Sequence, residues 1–575
     1  MSPRSFAVVH GGAELVMPAG RTPRELKKLS DIDDEEGLRF HLPVIMFYRN
    51  GSVVEGKDVG KVIRNGLSKA LVYYYPLAGR LREGPNRKLM VDCNGEGMLL
   101  VEAEADDSLR ELGDKILPPC PYMKEFLLDV PGSPRILGTP LLFQVTRLTC
   151  GGFVFAARMN HTICDSLGLV QFLTMVGEIA RGASITQFPV WQRELFSARN
   201  PPRITCAHNE YETQHCQKET WDTHEMDHGS FFFGPKEIAT LRSHLPMHLQ
   251  NSSTFEVLSA CLWKCRTIAL GLKPNETVGL SPFITARGKL GQQVPNGYYG
   301  NAFAFPMALA RAGPLCQNPL GYALELVKKA KAQMGAEYVS SVADLMVLKG
   351  RPKYRTEGNY LIGDTTHVGF YEVDFGWGSP IYGGPAGAIP FVSFYGRFRN
   401  SEGEDVIVVP ILLPHHVMRR FLSELVKITN KDPMDFSDEN MPNRERPKTL
   451  VENKWRAEDG RSSSAGREIH PLHALTPSVT SEASKSCSGI QVEESRSCVG
   501  MAGGPSPIEY FEADRVNLGW QLMRVPVTTP TGCMNACGYM DSHSPDDGEA
   551  PLEDMLEEEN LEDANLVEVE VKAEQ

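Results

Sequence analysis

The sequence lacks any apolar run of 18 residues, and no recognisable signal peptide precedes its first motifs. A helix that spans a membrane needs about 20 consecutive apolar residues, so no membrane association is predicted. The 13 cysteines are scattered, nine of them before residue 317. This distribution favours free thiols in a reducing compartment over a disulfide framework, and the expected location is the cytoplasm.

Several catalytic and binding motifs are also missing. There is no Walker-type glycine loop, so nucleotide hydrolysis has no support. The globular part of the chain has no Gly-x-Ser-x-Gly motif, which disfavours a serine hydrolase of the α/β-hydrolase type. The pairs Cys261 with Cys265 and Cys533 with Cys537 have helical rather than zinc-finger spacing and lack partner ligands, so no metal site is predicted.

The charge of the chain is concentrated at one end. The net charge is -13, and residues 541–575 carry all of it, with 14 Asp and Glu against one Lys. The neutral remainder has no basic stripe for nucleic acid. Residues 441–575 are low in complexity and end in this acidic block, which predicts a disordered tail. The 42% hydrophobic content of the 575 residues is enough to bury two cores.

His161 stands where a buried strand is predicted to meet a helix. Residues 141–148 and 153–159 are apolar runs separated by a turn-rich break, as in a strand pair. Beyond His161, apolar residues recur at helical spacing from 169 to 180, and Gly182 is suited to end that helix. A side chain at such a junction can enter a cleft while rigid elements hold it.

Three interpretations of His161 are open. It could be a core histidine satisfied by hydrogen bonds, which is a common situation. It could be a metal ligand, although Cys164 is its only nearby companion and a metal site needs further ligands. It could also be a general base, because a neutral imidazole with an ordinary pKa of about 6.5 can take a proton from a bound hydroxyl or amine.

Five motifs in this order resemble the plant BAHD acyltransferases, which move an acyl group from coenzyme A to an alcohol or amine. They include His-Thr-Ile-Cys-Asp at 161–165 and Asp-Phe-Gly-Trp-Gly at 374–378; the others lie at 29–33, 74–80 and 297–302. The resemblance spans most of the chain before the tail. Four further segments are similar to the alcohol acyltransferase branch, which includes benzyl alcohol O-benzoyltransferases: 31–40, 88–93, 318–331 and 341–352.

The resemblance implies an α/β (α+β) fold of two chloramphenicol-acetyltransferase-like lobes, with mixed sheets flanked by helices. The first lobe is expected over residues 1–190, with the histidine motif, and a crossover linker over 191–219. The second lobe, with the Asp-Phe-Gly-Trp-Gly motif, is expected over 220–435. Some exchange of strands between the lobes is expected, as is a monomer.

The resemblance also implies roles for individual residues. His161 is expected to be the general base, and Asp165 is expected to brace the site by pairing with Arg287. The other motif is expected to be structural, because two glycines around a tryptophan suit a tight turn beside a core. Its residues are Asp374, Phe375, Gly376, Trp377 and Gly378.

Donor binding is predicted near a helix start. Ser253 and Glu256 have the spacing of a capping box, and the free amides at a helix start attract phosphate. The resemblance places coenzyme A against this segment and against the stretch from Arg287 to Asn301, which makes Ser252, Thr254 and Tyr299 expected donor contacts. Acyl-CoA is then a co-substrate, and no tightly bound cofactor is expected.

The sequence therefore predicts acyl transfer from an acyl-CoA, with benzoyl-CoA or acetyl-CoA favoured, to a small alcohol such as benzyl alcohol. The histidine acts directly and no acyl-enzyme forms. Two alternatives stay open: a hydroxycinnamoyl-CoA transferase acting on an alcohol or amine, and a catalytically silent binding protein of the same fold.

Overall fold

A computed structural model describes residues 6–51, 56–127, 138–212, 226–288, 294–387, 389–400 and 402–430. The predicted tail at 441–575 lies outside these ranges. The strands are β1 (Val8–Val16), β2 (Leu26–Lys28), β3 (His41–Tyr48), β4 (Arg80–Glu83), β5 (Leu89–Asp92), β6 (Met98–Ala105), β7 (Leu141–Arg147), β8 (Phe153–Asn160), β9 (Met226–Phe233), β10 (Thr277–Pro282), β11 (Ile284–Thr285), β12 (Phe303–Ala304), β13 (Ala308–Arg311), β14 (Asn359–Asp364), β15 (Tyr382–Pro385), β16 (Val392–Arg399) and β17 (Asp405–Pro414). The helices are α1 (Val59–Tyr73), α2 (Leu109–Leu112), α3 (Met123–Phe126), α4 (Ser166–Arg181), α5 (Pro235–Ser243), α6 (Thr254–Leu270), α7 (Ala312–Gln317), α8 (Leu320–Ala332), α9 (Ala336–Leu348) and α10 (His415–Thr429).

Two six-stranded mixed sheets organise the fold, so the predicted class of mixed sheets flanked by helices is confirmed. The first sheet has the order β1-β6-β7-β8-β3-β15, and only β6 and β7 run parallel in it. Seven of the eight residues of β8 are buried, because this strand lies in the middle of the sheet. Its continuous apolar run reflects that central position.

The second sheet has the order β13-β10-β14-β16-β17-β9. Its central strands β10, β14 and β16 are parallel neighbours. The core beside this sheet includes Trp263 of α6, Leu324 of α8 and Phe421 of α10, all at most 1% exposed. Smaller sheets of three strands (β2, β5, β4) and two strands (β11, β12) complete the described elements.

The two halves of the chain share structure. β15, from the second half, pairs antiparallel with β3 of the first sheet, with Tyr382 opposite Phe47. One buried cluster also joins both sheets, since Phe47 and Val154 of the first sheet belong to it together with Val408 of β17. Each fully buried apolar side chain of this kind contributes about 1.5 to 3 kcal/mol, so separating the halves would expose a substantial core.

Helix α4 begins and ends as its sequence indicates. The Asp165 carboxylate accepts a hydrogen bond from the Gly168 amide and caps the first turn, and Gly182 ends the helix in the left-handed conformation at φ 71°. The first backbone N–H groups of a helix have no partner within the helix and need such an acceptor. The position after the last turn often takes the left-handed conformation, which glycine adopts most readily. Five residues therefore separate the end of β8 from the start of α4, and His161 is the first residue of this short connection.

Within the described ranges, no helix is both long enough and apolar enough to cross a membrane.

Candidate active site

His161 is the first residue after β8, and its ring lies near two phenylalanine rings. Its backbone amide donates to the Phe40 carbonyl at 2.9 Å, which ties it to the segment before β3. The imidazole centroid lies 5.6 Å from the Phe40 ring and 5.9 Å from the Phe303 ring. The residue is 9% exposed. The histidine is thus held in a largely apolar setting that contains residues from both halves of the chain.

Asn301 determines which imidazole nitrogen carries the proton. Its Nδ2 donates to the His161 carbonyl at 2.8 Å and to Asp33 Oδ1 at 2.8 Å, and both of these oxygens can only accept. Its Oδ1 therefore faces His161 Nδ1, at 3.2 Å. Because that oxygen can only accept, the Nδ1 atom carries the hydrogen in the neutral ring. Nε2 is left with a lone pair, which is the arrangement that a general base needs.

A buried ion pair fixes Asn301 in turn. Arg193 Nη1 lies 3.0 Å from both carboxylate oxygens of Asp33, and these two side chains are 2% and 0% exposed. Ser30 donates from its hydroxyl to Asp33 Oδ2 at 2.8 Å, and the Asn301 amide donates to Oδ1 at 2.9 Å. Arg193 also donates to the Ile163 carbonyl at 2.8 Å, within the histidine motif. A buried carboxylate with this many donors is well satisfied and rigid.

Asp165 turns away from the imidazole and pairs with Arg287. Arg287 Nη1 donates to Oδ2 at 2.6 Å and Nη2 to Oδ1 at 3.1 Å, a two-pronged contact with side chains 10% and 21% exposed. Arg287 also donates to the Gly300 carbonyl at 2.9 Å, next to Asn301. Since Asp165 caps α4 as well, this carboxylate connects the helix, the histidine motif and the turn after β11 that carries Arg287. The structure thus brings together the two residues expected to brace the site.

The electrostatics favour a neutral imidazole. Burial lowers the pKa of His161 below its ordinary value of 6.5, while the charges of Asp165 and Asp33 and the hydrogen bond with Asn301 act in the opposite direction. A histidine whose pKa lies below neutrality is ready to accept a proton at pH 7.

The Asp374 to Gly378 motif forms a turn around its own carboxylate. Asp374 Oδ1 accepts from the amides of Gly376 at 2.7 Å and Gly378 at 2.8 Å. Both glycines have positive φ, 111° and 80°, so a side chain at either would be strained. Phe375 is fully buried, and Trp377 is 8% exposed.

This turn packs on the far end of α4. The Asp374 carbonyl accepts from Arg181 and lies so close to Gly177 that a Cβ there would be 2.4 Å away. Gly177 is twelve residues beyond Asp165, about 18 Å along the helix at about 1.5 Å per residue. The motif therefore packs on the first half of the chain, although it falls within residues 220–435. It also lies too far from the start of α4 to act on the same atoms as His161.

Two of the three predicted donor contacts lie together at the start of α6. Ser253 caps this helix and Glu256 completes the capping box, as predicted. Lys328 Nζ donates to Ser252 Oγ at 3.1 Å, and Arg242 donates to Thr254 Oγ1 at 3.3 Å. The helix start thus has two cations beside it, which suits an anionic ligand.

Tyr299 is not part of that group. Its ring contacts Tyr74 at 5.0 Å and Trp191 at 5.9 Å, with the Arg193 guanidinium 4.9 Å from its centroid. Only 2% of it is exposed, so the side chain packs in the interior rather than offering a surface to a donor. The expectation that it contacts the donor came from its motif, which gives no information on where the side chain points.

One cleft among the described residues does not have His161 in its lining. Its volume is about 610 Å³, and it lies between α4 residues such as Gln171 and Thr174 and the stretch that contains Arg287 and Tyr298. Among the described residues, no group of three or more His, Cys, Asp or Glu side chains is arranged to hold a metal ion.

Three residues of the site were not assigned by sequence reasoning: Asp33, Arg193 and Asn301. Asp33 and Asn301 lie in two of the motifs that carried the resemblance, so a signal was present without a role. Arg193 falls in the expected crossover, 160 positions after Asp33, and no local pattern indicates the pair.

Comparisons with known proteins show which family the chain belongs to. A model of the Transferase family matches residues 6–427. Alcohol acyltransferase 16 of Actinidia chinensis var. chinensis is 58% identical over 431 residues, which cover 74% of this chain and 94% of that protein. Benzyl alcohol O-benzoyltransferase of Petunia hybrida is 56% identical over 435 residues, covering 74% of this chain and 95% of that protein.

Solved structures share the fold at lower identity. Vinorine synthase matches with a TM-score of 0.59 and 20% identity, covering 73% of this chain and 98% of that one. TRI101 of F. graminearum, in complex with coenzyme A and T-2 mycotoxin, matches with a TM-score of 0.56 and 14% identity, covering 71% and 98%.

Proposed function

The chain belongs to the Transferase family, the BAHD acyltransferases, and is an acyl-CoA-dependent O-acyltransferase; we propose that it transfers the acyl group of benzoyl-CoA or acetyl-CoA to the hydroxyl of a small alcohol such as benzyl alcohol. The products are an ester and free coenzyme A. His161 is the general base, and no acyl-enzyme forms.

The observation that carries the mechanism is the hydrogen bond between His161 Nδ1 and Asn301 Oδ1. It leaves Nε2 to accept the proton of the alcohol as the alcohol oxygen attacks the thioester carbonyl. A tetrahedral intermediate then collapses, the C–S bond breaks, and the leaving sulfur takes the proton back from the imidazolium. The histidine ends as it began, and proton transfer of this kind typically contributes about 10² to 10⁴ in rate.

The thiol in the histidine motif does not fit a covalent route. Burial raises the pKa of Cys164 far above its ordinary value, and the residue is 1% exposed. Its sulfur lies beside the sulfur of Met159 in the interior. Since the thiolate and not the thiol is the nucleophile, a thiol held neutral in this way supports direct transfer to the alcohol.

Donor binding is proposed at the start of α6. Coenzyme A carries phosphate groups, and Ser252 and Thr254 stand at a capped helix start with Lys328 and Arg242 beside them. Free helix-start amides and two cations together favour phosphate oxygens.

The aromatic rings at His161 support a small, largely apolar acceptor. The rings of Phe40 and Phe303 lie within 6 Å of the imidazole, at centroid distances of 5.6 Å and 5.9 Å, so a hydroxyl that reaches Nε2 brings its carbon substituent close to phenyl rings. The Petunia relative named benzyl alcohol O-benzoyltransferase is similar over most of the enzyme body, which favours benzyl alcohol and benzoyl-CoA as first substrates.

The test is a matrix of donors and acceptors assayed with purified protein. Benzoyl-CoA, acetyl-CoA and coumaroyl-CoA are each combined with benzyl alcohol, 1-hexanol and a primary amine, and ester or amide is measured. The proposal expects the highest kcat/KM for benzoyl-CoA or acetyl-CoA with an alcohol. Preference for coumaroyl-CoA would favour the hydroxycinnamoyl alternative, and folded protein without turnover on any pair would favour the binding protein.

We further propose that the protein is a cytoplasmic monomer. Light scattering after gel filtration tests the monomer, and imaging of a fluorescent fusion in plant cells tests the location.

A further inference from the structure

Two phenylalanines and one glycine lie side by side across the three parallel strands, just after the end of β10, near the end of β14 and near the start of β16. Phe283 follows β10, and its amide donates to the Ile362 carbonyl of β14 at 2.9 Å. Gly363 of β14 is in register with Phe394 of β16. The order across the sheet is therefore phenylalanine, glycine, phenylalanine.

The glycine allows the two rings to meet above the middle strand. The ring centroids of Phe283 and Phe394 are 5.9 Å apart with an interplanar angle of 26°, a stacked pair. A Cβ on Gly363 would lie 2.6 Å from Phe394 Cδ1 and 3.4 Å from Phe283 Cδ2. The first distance is shorter than carbon atoms tolerate, so any side chain at 363 would displace the Phe394 ring. The glycine is needed here for space, not for an unusual backbone conformation.

A continuous line of rings connects this pair to the base. The Phe283 ring lies 5.6 Å from the Phe303 ring, and the Phe303 ring lies 5.9 Å from His161. Phe283 and Phe394 are half-buried, and so is Phe40, whose ring is also near the imidazole. They therefore keep aromatic surface that the described side chains do not cover.

We propose that Gly363 is a specificity-determining residue. Because it has no side chain, the rings of Phe283 and Phe394 can stack and present a surface that binds the aromatic ring of a substrate. This inference rests on the proposed function and names its substrate class. Aromatic rings prefer partners at centroid distances of about 4.5 to 7 Å in stacked or edge contacts, and an aliphatic chain lacks that preference. The ring could belong to the acyl group or to the alcohol, and the assay separates the two sources.

The experiment compares wild type, Gly363→Ala, Phe394→Ala and the double variant. Each is assayed with benzoyl-CoA or acetyl-CoA and with benzyl alcohol or 1-hexanol, and the readout is the aromatic-to-aliphatic ratio of kcat/KM. We expect Gly363→Ala and Phe394→Ala each to lower this ratio roughly two- to tenfold, the size of one aromatic pair. A fall in the donor ratio assigns the ring to the acyl group, and a fall in the acceptor ratio assigns it to the alcohol.

The double variant tests the steric step. Once Phe394 is alanine, the new Cβ at 363 has no ring to displace, so the double variant should match Phe394→Ala alone. Gly12→Ala is the matched control, since a Cβ there meets no atom within 4 Å, and its ratios should equal those of wild type.

Ratios within 1.5-fold of wild type in both single variants, with active and folded protein, would overturn the inference. If Gly363→Ala fails to fold, Phe283→Leu and Phe394→Ala give the same decision. Absence of turnover in wild type with every pair is a different result, since it removes the proposed function itself.

Discussion

The side-chain oxygen of Asn301 lies 3.2 Å from Nδ1 of His161 and accepts a hydrogen bond from it, so an amide rather than a carboxylate orients the imidazole. The carboxylate of the histidine motif, Asp165, is engaged elsewhere, with Arg287. The nearest negative charge along this line is Asp33, which lies behind the amide and is neutralised by Arg193. A neutral partner fixes the tautomer while favouring the imidazolium less than a carboxylate in contact with the ring would.

Replacement of His161 by alanine should lower kcat about 10² to 10⁴-fold, the loss expected when a general base is removed. Binding of coenzyme A should persist, because the proposed donor contacts lie at the start of α6. Steady-state kinetics and calorimetric titration with coenzyme A measure the two effects. His416→Ala, at an exposed position on α10, is the control and should leave both unchanged. Turnover within threefold of wild type in folded His161→Ala protein would remove the histidine from the mechanism.

Replacement of Asn301 by leucine should lower kcat through His161. The change keeps a side chain of similar size but leaves Nδ1–H without its acceptor, a loss of about 1 to 3 kcal/mol, or roughly 5- to 150-fold. In the background of His161→Ala the same change should cost less activity, because the bond to the ring is then already absent and only the bonds from Nδ2 to Asp33 and to the backbone carbonyl of residue 161 are lost. Equal losses of kcat in the two backgrounds would contradict the positioning role.

The rate should depend on pH with an acidic limb below 6.5. Burial lowers the pKa of His161, so the base is neutral throughout the neutral range and loses activity only as pH falls through the lowered value. The free energy of unfolding depends on pH in the same direction. The unfolded chain binds a proton at this histidine near pH 6.5, whereas the folded protein binds it only at lower pH. The contribution of His161 to stability is therefore fully present above pH 6.5 and is lost as the pH falls below it. In His161→Gln the melting temperature should fall less than in wild type as the pH is lowered below 6.5. An acidic limb above 6.5 in kcat/KM would contradict the assignment.

Asp165→Asn and Arg287→Ala should each lower the melting temperature, and their effects should not add. Removing one partner of a buried pair typically costs about 3 to 5 kcal/mol, and since these side chains are 10% and 21% exposed, the loss should lie at or below the lower end of that range. Urea unfolding of both single variants and the double variant completes the cycle. The exposed pair of Arg397 and Asp405, with side chains 42% and 44% exposed, is the matched control and should show a coupling below about 1 kcal/mol. Additive losses for the first pair would show that the two side chains do not act together.

Deletion of residues 441–575 should leave acyl transfer intact. The family match ends at residue 427, and the last described helix, α10, ends at Thr429. A longer deletion from residue 415 removes Val417, Phe421 and Leu425, which are at most 3% exposed, and should abolish folding. Comparing kcat/KM of the two truncations with that of the full chain locates the boundary. A large loss in the shorter deletion would show that the tail takes part in function.

Local patterns predicted the elements that depend on neighbours along the chain. The capping box of Ser253 and Glu256, the strand before His161 and the helix that ends at Gly182 all follow from spacings of a few residues. The class of mixed sheets was predictable from motifs with a known order.

Contacts between distant residues could not be predicted in the same way. Residues 31–36 contain five acidic side chains in six positions, a pattern typical of an exposed surface, yet Asp33 and Asp34 are fully buried. Their burial depends on Arg193, Arg39 and Arg351, which neutralise them in the fold. Tyr299 shows the converse: its motif suggested a donor contact, whereas its packing against Tyr74 depends on a residue more than 200 positions away.

The pairing of β15 with β3 limits how this enzyme can be divided. A fragment ending at residue 190 would contain all strands of the first sheet except β15. It would leave one edge of β3 open, and the unpaired backbone donors and acceptors there could pair with another chain. The complementary fragment would hold β15 with nothing to pair against. Grafting one lobe from a relative to alter substrate choice therefore has to transfer Tyr382–Pro385 together with the first 190 residues, since these four residues belong to the first lobe in space and to the second only in the gene.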